Sequence, residues 1–140
     1  MERSVAPRDR ITAALAAGAI AGIVMELVLY AGRLGGIPAQ AVLGGPAWSA
    51  GGIALQLAIA IAWAYGYVSL ARSQPQITRR PLISGVAFGI VVYTFMQILV
   101  IIDGGYHRPS GPTTMLTLAA YIVFYGVTVG AIVARMLRRA

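Results

Sequence analysis

GAIAGIVMELVLY, residues 18–30, is the stretch of sequence that decides the fold. It is almost wholly apolar, and it places Gly18 and Gly22 four residues apart, on one face of a helix. Lipid gives helices no hydrophobic reason to associate, and small residues at this spacing instead allow two backbones to approach closely. The stretch therefore predicts a membrane-spanning helix that packs through its glycine face.

Three more apolar stretches carry small residues at the same spacing. These residues are Ala54, Ala58, Ala62 and Gly66 in the second stretch, Gly85 and Gly89 in the third, and Gly126 and Gly130 in the fourth. Because about 20 apolar residues are needed to cross the hydrocarbon of a bilayer, we predict spans over residues 11–31, 48–71, 82–102 and 113–134. The expected fold class is all-α, a polytopic membrane protein whose residues 1–140 form one four-helix domain.

The composition agrees with a membrane protein. Of 140 residues, 59% are hydrophobic and 11% are charged, and the mean hydropathy is +0.78. A soluble domain of this size has too little interior to bury so much apolar surface. The chain has no cysteine, which excludes disulfides, thiolate metal sites and cysteine nucleophiles.

The formal charge of +7 comes from arginines that flank the predicted spans, so it favours membrane topology over nucleic-acid binding. Nine arginines fall on one side of the membrane: Arg3, Arg8, Arg10, Arg72, Arg79, Arg80, Arg135, Arg138 and Arg139. Arg33 and Arg108 fall on the other side. Since positively charged loops stay in the cytoplasm, we predict a bacterial inner-membrane protein with both termini cytoplasmic.

Glu26 is the one ionisable residue well inside a predicted span, and it continues the face of Gly18 and Gly22. Tyr93 and Gln97 continue the glycine face of the third span in the same way. At about 1.5 Å of rise per residue, Glu26, Gln97 and Gln56 reach a similar depth. We therefore predict an intramembrane polar layer of these three residues, with Tyr93 just beneath it.

Three interpretations of Glu26 remain open. The third of them is an interhelical or intersubunit contact, to Arg33 or to a partner chain. In the first, its side chain is protonated, or hydrogen-bonds to Gln97 or Tyr93, and fixes helix packing. In the second, burial raises the proton affinity of the carboxylate, which then exchanges a proton or binds a cation.

Asp103, His107 and Arg108 form a polar cluster at the outer mouth of the second hairpin. A single histidine in a turn is usually solvated, and ligation of a haem or a pigment by His107 is the weaker alternative. No catalytic motif or metal-ligand spacing occurs in the sequence. We therefore expect no catalysis, no bound metal and no cofactor apart from lipid.

The two predicted hairpins show a weak internal similarity. GAIAGIV begins at Gly18 in the first span, and GVAFGIV begins at Gly85 in the third. If the hairpins are parallel repeats about an axis along the membrane normal, the glycine faces of the first and third spans are expected to meet near the centre.

Two families share these features. A membrane-embedded glutamate in the first of four helices resembles the small multidrug resistance transporters, and this resemblance implies that Glu26 binds protons and substrate. The runs GAIAGIVMELVLY, GVAFGIVVY and YGVTVGAIVARM are similar over most of the chain to a group of uncharacterised small bacterial four-helix membrane proteins. That resemblance implies a fold and no activity.

The function expected from these observations is that of a non-catalytic accessory subunit, which packs against a larger respiratory or photosynthetic membrane complex. The small loops, the small-residue faces and the lack of catalytic motifs motivate this expectation. The alternative is a homodimeric proton-coupled transporter or channel, in which Glu26 is the coupling carboxylate and Gln56, Tyr93 and Gln97 line the path.

Overall fold

The computed structural model describes residues 7–37, 50–102 and 111–139, and these residues are almost entirely helical. The helices are α1 (Pro7–Leu34), α2 (Ala50–Ser73), the short α3 (Pro75–Arg79) and α4 (Pro81–Ile102). Proline opens α1, α3 and α4, in the first turn, where the backbone N–H groups have no partner within the helix.

The fourth span covers residues 111–139 and changes its helix type in the middle. An α-helical start, α5 (Gly111–Ala119), leads into a π-helical segment (Ala120–Val127) and then into α6 (Thr128–Arg139). Tyr121 and Tyr125 lie within the π-helical segment, which is a wider and rarer helix type often found at functional sites.

Within residues 7–37, 50–102 and 111–139, four helices are long and apolar enough to cross a membrane. The predicted spans 11–31, 82–102 and 113–134 lie within observed helices, and so does the predicted second span from Ala50 onward. The all-α fold with four candidate membrane spans is therefore confirmed. Both hairpins run up and down, so α1 begins, α2 ends, α4 begins and α6 ends at one end of the bundle, which we call the arginine-rich end.

The end of α1 shows why its helix stops. Gly36 adopts a positive φ of 84°, and the N–H of Ile37 donates to the carbonyl oxygen of Gly32 at 2.9 Å. The N–H of Gly36 donates to the carbonyl oxygen of Arg33, also at 2.9 Å. This is a Schellman cap, and glycine suits its left-handed position because it has no Cβ.

The helices are arranged in the order α2, α1, fourth span, α4 around the bundle. Small side chains of α1, including Ala17 and Ala21, are fully buried between α2 and the fourth span. By contrast, α2 and α4 make no extensive backbone contact, and aromatic side chains occupy the seam between them.

The expectation that the glycine faces of the first and third spans meet is wrong. Gly18 faces Ile61 of α2, whereas Gly85 faces Gly126 of the fourth span. Each glycine pair packs against the next spanning helix along the chain, because consecutive elements of a chain are usually neighbours in space.

Candidate functional site

The first hairpin places Glu26 at the end of a regular series of contacts. A Cβ atom at Gly18 would lie 2.5 Å from the Cα of Ile61, and one at Gly22 would lie 2.9 Å from Leu57 Cδ2. Four residues further along α1, Glu26 lines a cavity that Ile53 also lines. Gly18, Gly22 and Glu26 thus lie one after another along the side of α1 that packs against α2.

Glu26 is half-buried in a lateral cavity of about 390 Å³. The other residues lining it are Ile23, Leu27, Tyr30, Ile53 and Leu57, so the carboxylate is the charged group of an otherwise largely apolar wall. Within the described part of the chain, no hydrogen bond or salt bridge ends on Glu26. The residues that line this cavity all belong to α1 and α2.

A separate set of polar contacts crosses the centre of the bundle. Gln56 is only 4% exposed, and its Nε2 donates to the hydroxyl of Tyr121 at 3.0 Å. The Tyr121 ring meets the Tyr93 ring edge to face, with centroids 6.1 Å apart. The hydroxyl of Tyr125 donates to the backbone carbonyl oxygen of Ala60 at 2.6 Å. These contacts tie α2 to the π-helical segment.

The predicted polar layer therefore forms only in part. Gln56 and Tyr93 are brought together through Tyr121, whereas no hydrogen bond joins Glu26 to Gln97 or Tyr93. Gln97 of α4 is half-buried. Glu26 instead lines the α1–α2 cavity, and α4 packs on the other side of the bundle.

Tyr121 and Tyr125 are the members of this network that the sequence analysis missed. Both are almost fully buried, and their side chains reach α2 from the π-helical segment. Two tyrosines four residues apart in an apolar span were the available signal, because a buried phenol needs a hydrogen-bond partner.

The second hairpin is built from four of the predicted packing residues. A Cβ atom at Gly85 would lie 2.5 Å from the carbonyl oxygen of Gly126, and one at Gly89 would lie 2.6 Å from the carbonyl oxygen of Tyr121. In the other direction, a Cβ atom at Gly126 would overlap the carbonyl oxygen of Gly85, and one at Gly130 would overlap that of Pro81. The two backbones are in direct contact, as the spacing predicts.

The small residues of α2 behave differently. Ala58 and Ala62 are exposed, and a Cβ atom at Gly66 would meet nothing within 4 Å. Within the described part of the chain these residues contact no other helix closely, because α2 turns the opposite face inward. The buried residues of that face are Gln56, Ala60, Ala64, Tyr67, Val68 and Ala71. We call the outward surface of Ala54, Ala58, Ala62 and Gly66 the α2 small-residue face.

The predicted outer-mouth cluster of Asp103, His107 and Arg108 lies outside the described residues. Among residues 7–37, 50–102 and 111–139, no group of three or more His, Cys, Asp or Glu side chains could hold a metal ion.

Comparisons with models of protein families, with curated proteins and with solved structures find no match. The fold and the contacts above therefore carry the functional argument.

Proposed function

We propose that this chain is a non-catalytic membrane subunit that assembles with another integral membrane protein through the α2 small-residue face. The most concrete version is an accessory subunit of a respiratory or photosynthetic complex in the inner membrane of a bacterium. The nine-to-two distribution of arginines supports a topology in which both termini are cytoplasmic.

The observation that carries this proposal is the exposure of the α2 small-residue face. Ala54, Ala58 and Ala62 are exposed, and the space around Gly66 is open. Where the same kind of face is covered inside the chain, as at Gly85 and Gly126, two backbones meet directly. A surface that lets a neighbouring helix approach equally closely is suited to a partner helix in the bilayer, where packing drives association.

The test is purification of a tagged copy from its native membrane in mild detergent, followed by mass spectrometry. We expect stoichiometric recovery of a membrane complex, and loss of that complex in the double variant Ala58→Leu/Ala62→Leu. Ala131→Leu is the matched control, because it adds the same side chain at an exposed alanine of α6. Recovery of the chain alone as a monomer, or equal loss in the control, would contradict the proposal.

The second candidate function is that of a homodimeric proton-coupled transporter or channel. It is supported by Glu26, whose carboxylate lines a lateral cavity and has no hydrogen bond within the described residues. Gln56 adds a buried Oε1 atom without a hydrogen-bond partner there, and Leu57, its neighbour in sequence, lines the same cavity. A buried acceptor of this kind is a place for a water molecule or a proton donor.

Proton-coupled flux in proteoliposomes distinguishes the two candidates. The transporter hypothesis expects Glu26→Gln to abolish flux and to leave the helix content and the free energy of unfolding unchanged. Flux that persists in the variant excludes Glu26 as the coupling group, and an equal loss of folding and flux makes Glu26 structural. A coloured purified sample would instead support a pigment or haem ligated by His107.

A further inference from the structure

The seam between α2 and α4 contains a cavity of about 510 Å³, which shares Gly66 with the α2 small-residue face and otherwise lies beside it. This volume falls within the range of about 300–1,000 Å³ that is typical of ligand sites. Trp63, Tyr67 and Leu70 line it from α2, and Phe88 and Val91 line it from α4. The cavity exists because these two helices lack the close backbone contact that joins the other neighbouring pairs.

The wall of this seam groove is almost entirely apolar. The Trp63 ring meets the rings of Phe88 and Phe95 edge to face, with centroids 6.3 Å and 5.1 Å apart. The polar side chains of the wall are Tyr67 and Ser84, and their hydroxyls are hydrogen-bonded to each other at 2.8 Å. The groove therefore offers surface for a hydrocarbon chain and little for a polar ligand.

Two consecutive arginines lie next to the arginine-rich end of the groove, at the end of α3. Ile77 of α3 closes this end, and its carbonyl oxygen accepts a hydrogen bond from the Ser84 hydroxyl at 2.9 Å. The carbonyl oxygen of Arg80 lies 3.0 Å from the same hydroxyl, so Arg80 sits at the mouth of the groove. Arg79, the last residue of α3, is exposed beside it, and Arg138 donates to the carbonyl oxygen of Thr78 at 2.8 Å.

We propose that the seam groove binds one acyl chain of an anionic phospholipid, whose phosphate lies against Arg79 and Arg80. The groove is apolar along a membrane span and ends beside arginines. It is therefore complementary to a phospholipid, whose hydrocarbon chain ends at an anionic headgroup. Each arginine near a membrane surface strengthens the binding of anionic lipid about fivefold. This complementary charge distinguishes the groove from an apolar surface that any lipid covers.

Trp63 provides a direct probe of occupancy, because it lines the groove and the chain has one other tryptophan, Trp48. The full chain with Trp48→Phe is reconstituted into vesicles of equal parts phosphatidylglycerol and phosphatidylcholine. Dibrominated acyl chains are carried by one lipid or the other, and bromine quenches indole fluorescence on contact. We expect the phosphatidylglycerol to occupy the groove at least fivefold more often than the phosphatidylcholine.

Two pairs of variants locate the effect. Arg80→Gln is expected to lower the preference for phosphatidylglycerol about fivefold, whereas Arg135→Gln removes a charge from the same end of the bundle and is expected to leave it unchanged. Ala87→Leu fills the groove and is expected to reduce quenching by both lipids, whereas Ala131→Leu is expected to have no effect. Circular dichroism checks that each variant is folded.

Three outcomes would overturn the proposal. Equal quenching by the two lipids would mean that the groove does not recognise the headgroup. An effect of Arg135→Gln as large as that of Arg80→Gln would mean that the general surface potential attracts the lipid. An absence of quenching by either lipid would mean that protein covers the groove, as in a pairing of two copies of the chain.

Discussion

The two hairpins use the same spacing of small residues and reach different results. In the second hairpin, glycines on both helices bring the backbones into contact, and a Cβ at Gly85 would lie 2.5 Å from the carbonyl oxygen of Gly126. In the first hairpin, α1 supplies the glycines, and they contact Leu57, Ala60 and Ile61 of α2. The small residues of α2 face away from the bundle.

This difference teaches that the spacing alone does not say where a helix packs. A face of small residues permits two helices to approach closely. Whether that face turns inward depends on whether the opposite face of the same helix would bury more side-chain surface. In α2 the inward face carries Tyr67 and Val68, which fill the interior, and Gln56, which hydrogen-bonds there. The small-residue face is left for lipid or for a partner.

The largest difference between the hairpins is expected when a methyl group is added to a glycine of the second hairpin. Gly85→Ala is expected to lower the free energy of unfolding by about 2–3 kcal/mol, because overpacking against rigid backbone forces the helices apart. The control is Gly66→Ala, whose new methyl group meets nothing within 4 Å. Since alanine favours helix over glycine, this control is expected to be neutral or up to about 1 kcal/mol more stable.

Unfolding in mixed micelles, followed by circular dichroism, measures both variants. If Gly85→Ala and Gly66→Ala have the same effect, the close contact at Gly85 does not govern the stability of the hairpin.

The first hairpin offers a graded version of the same experiment. Gly18→Ala directs its methyl group at the backbone of Ile61, as close as the contact at Gly85, and we expect a similar loss of about 2–3 kcal/mol. Gly22→Ala meets the end of the Leu57 side chain and the methyl group of Ala60. Because the Leu57 side chain can rotate, we expect a loss below about 1 kcal/mol. The same unfolding assay ranks the two variants, and the reverse order would contradict the α1–α2 register.

The smallest expected effect concerns the contact that crosses between the hairpins. Tyr121→Phe removes the partner of Gln56 Nε2, and a double-mutant cycle with Gln56→Leu measures their coupling free energy. Hydrogen bonds between membrane helices average about 0.6 kcal/mol and reach about 1.7 kcal/mol, so we expect a coupling in that range. A coupling of zero would mean that the two side chains are not paired in the folded protein.

Much of the fold could be predicted from the sequence because span formation depends on local composition. The apolar stretches that predicted residues 82–102 as a span are those that form α4 (Pro81–Ile102). The site was harder to predict. Glu26 was found because an ionisable residue in an apolar span stands out, whereas Tyr121 and Tyr125 resemble ordinary apolar residues until their partners on α2 are known.

The sequence by itself determined that the chain forms four apolar helices, that glycine faces on three of them allow close packing, and that Glu26 lies within a span. Local composition suffices for these properties, because the bilayer requires each span to satisfy its own backbone hydrogen bonds. The tertiary structure decided that Gln56 pairs with Tyr121, that the α2 small-residue face points outward, and that a groove remains between α2 and α4. These properties depend on how four helices share a limited interior, which no single stretch of sequence contains.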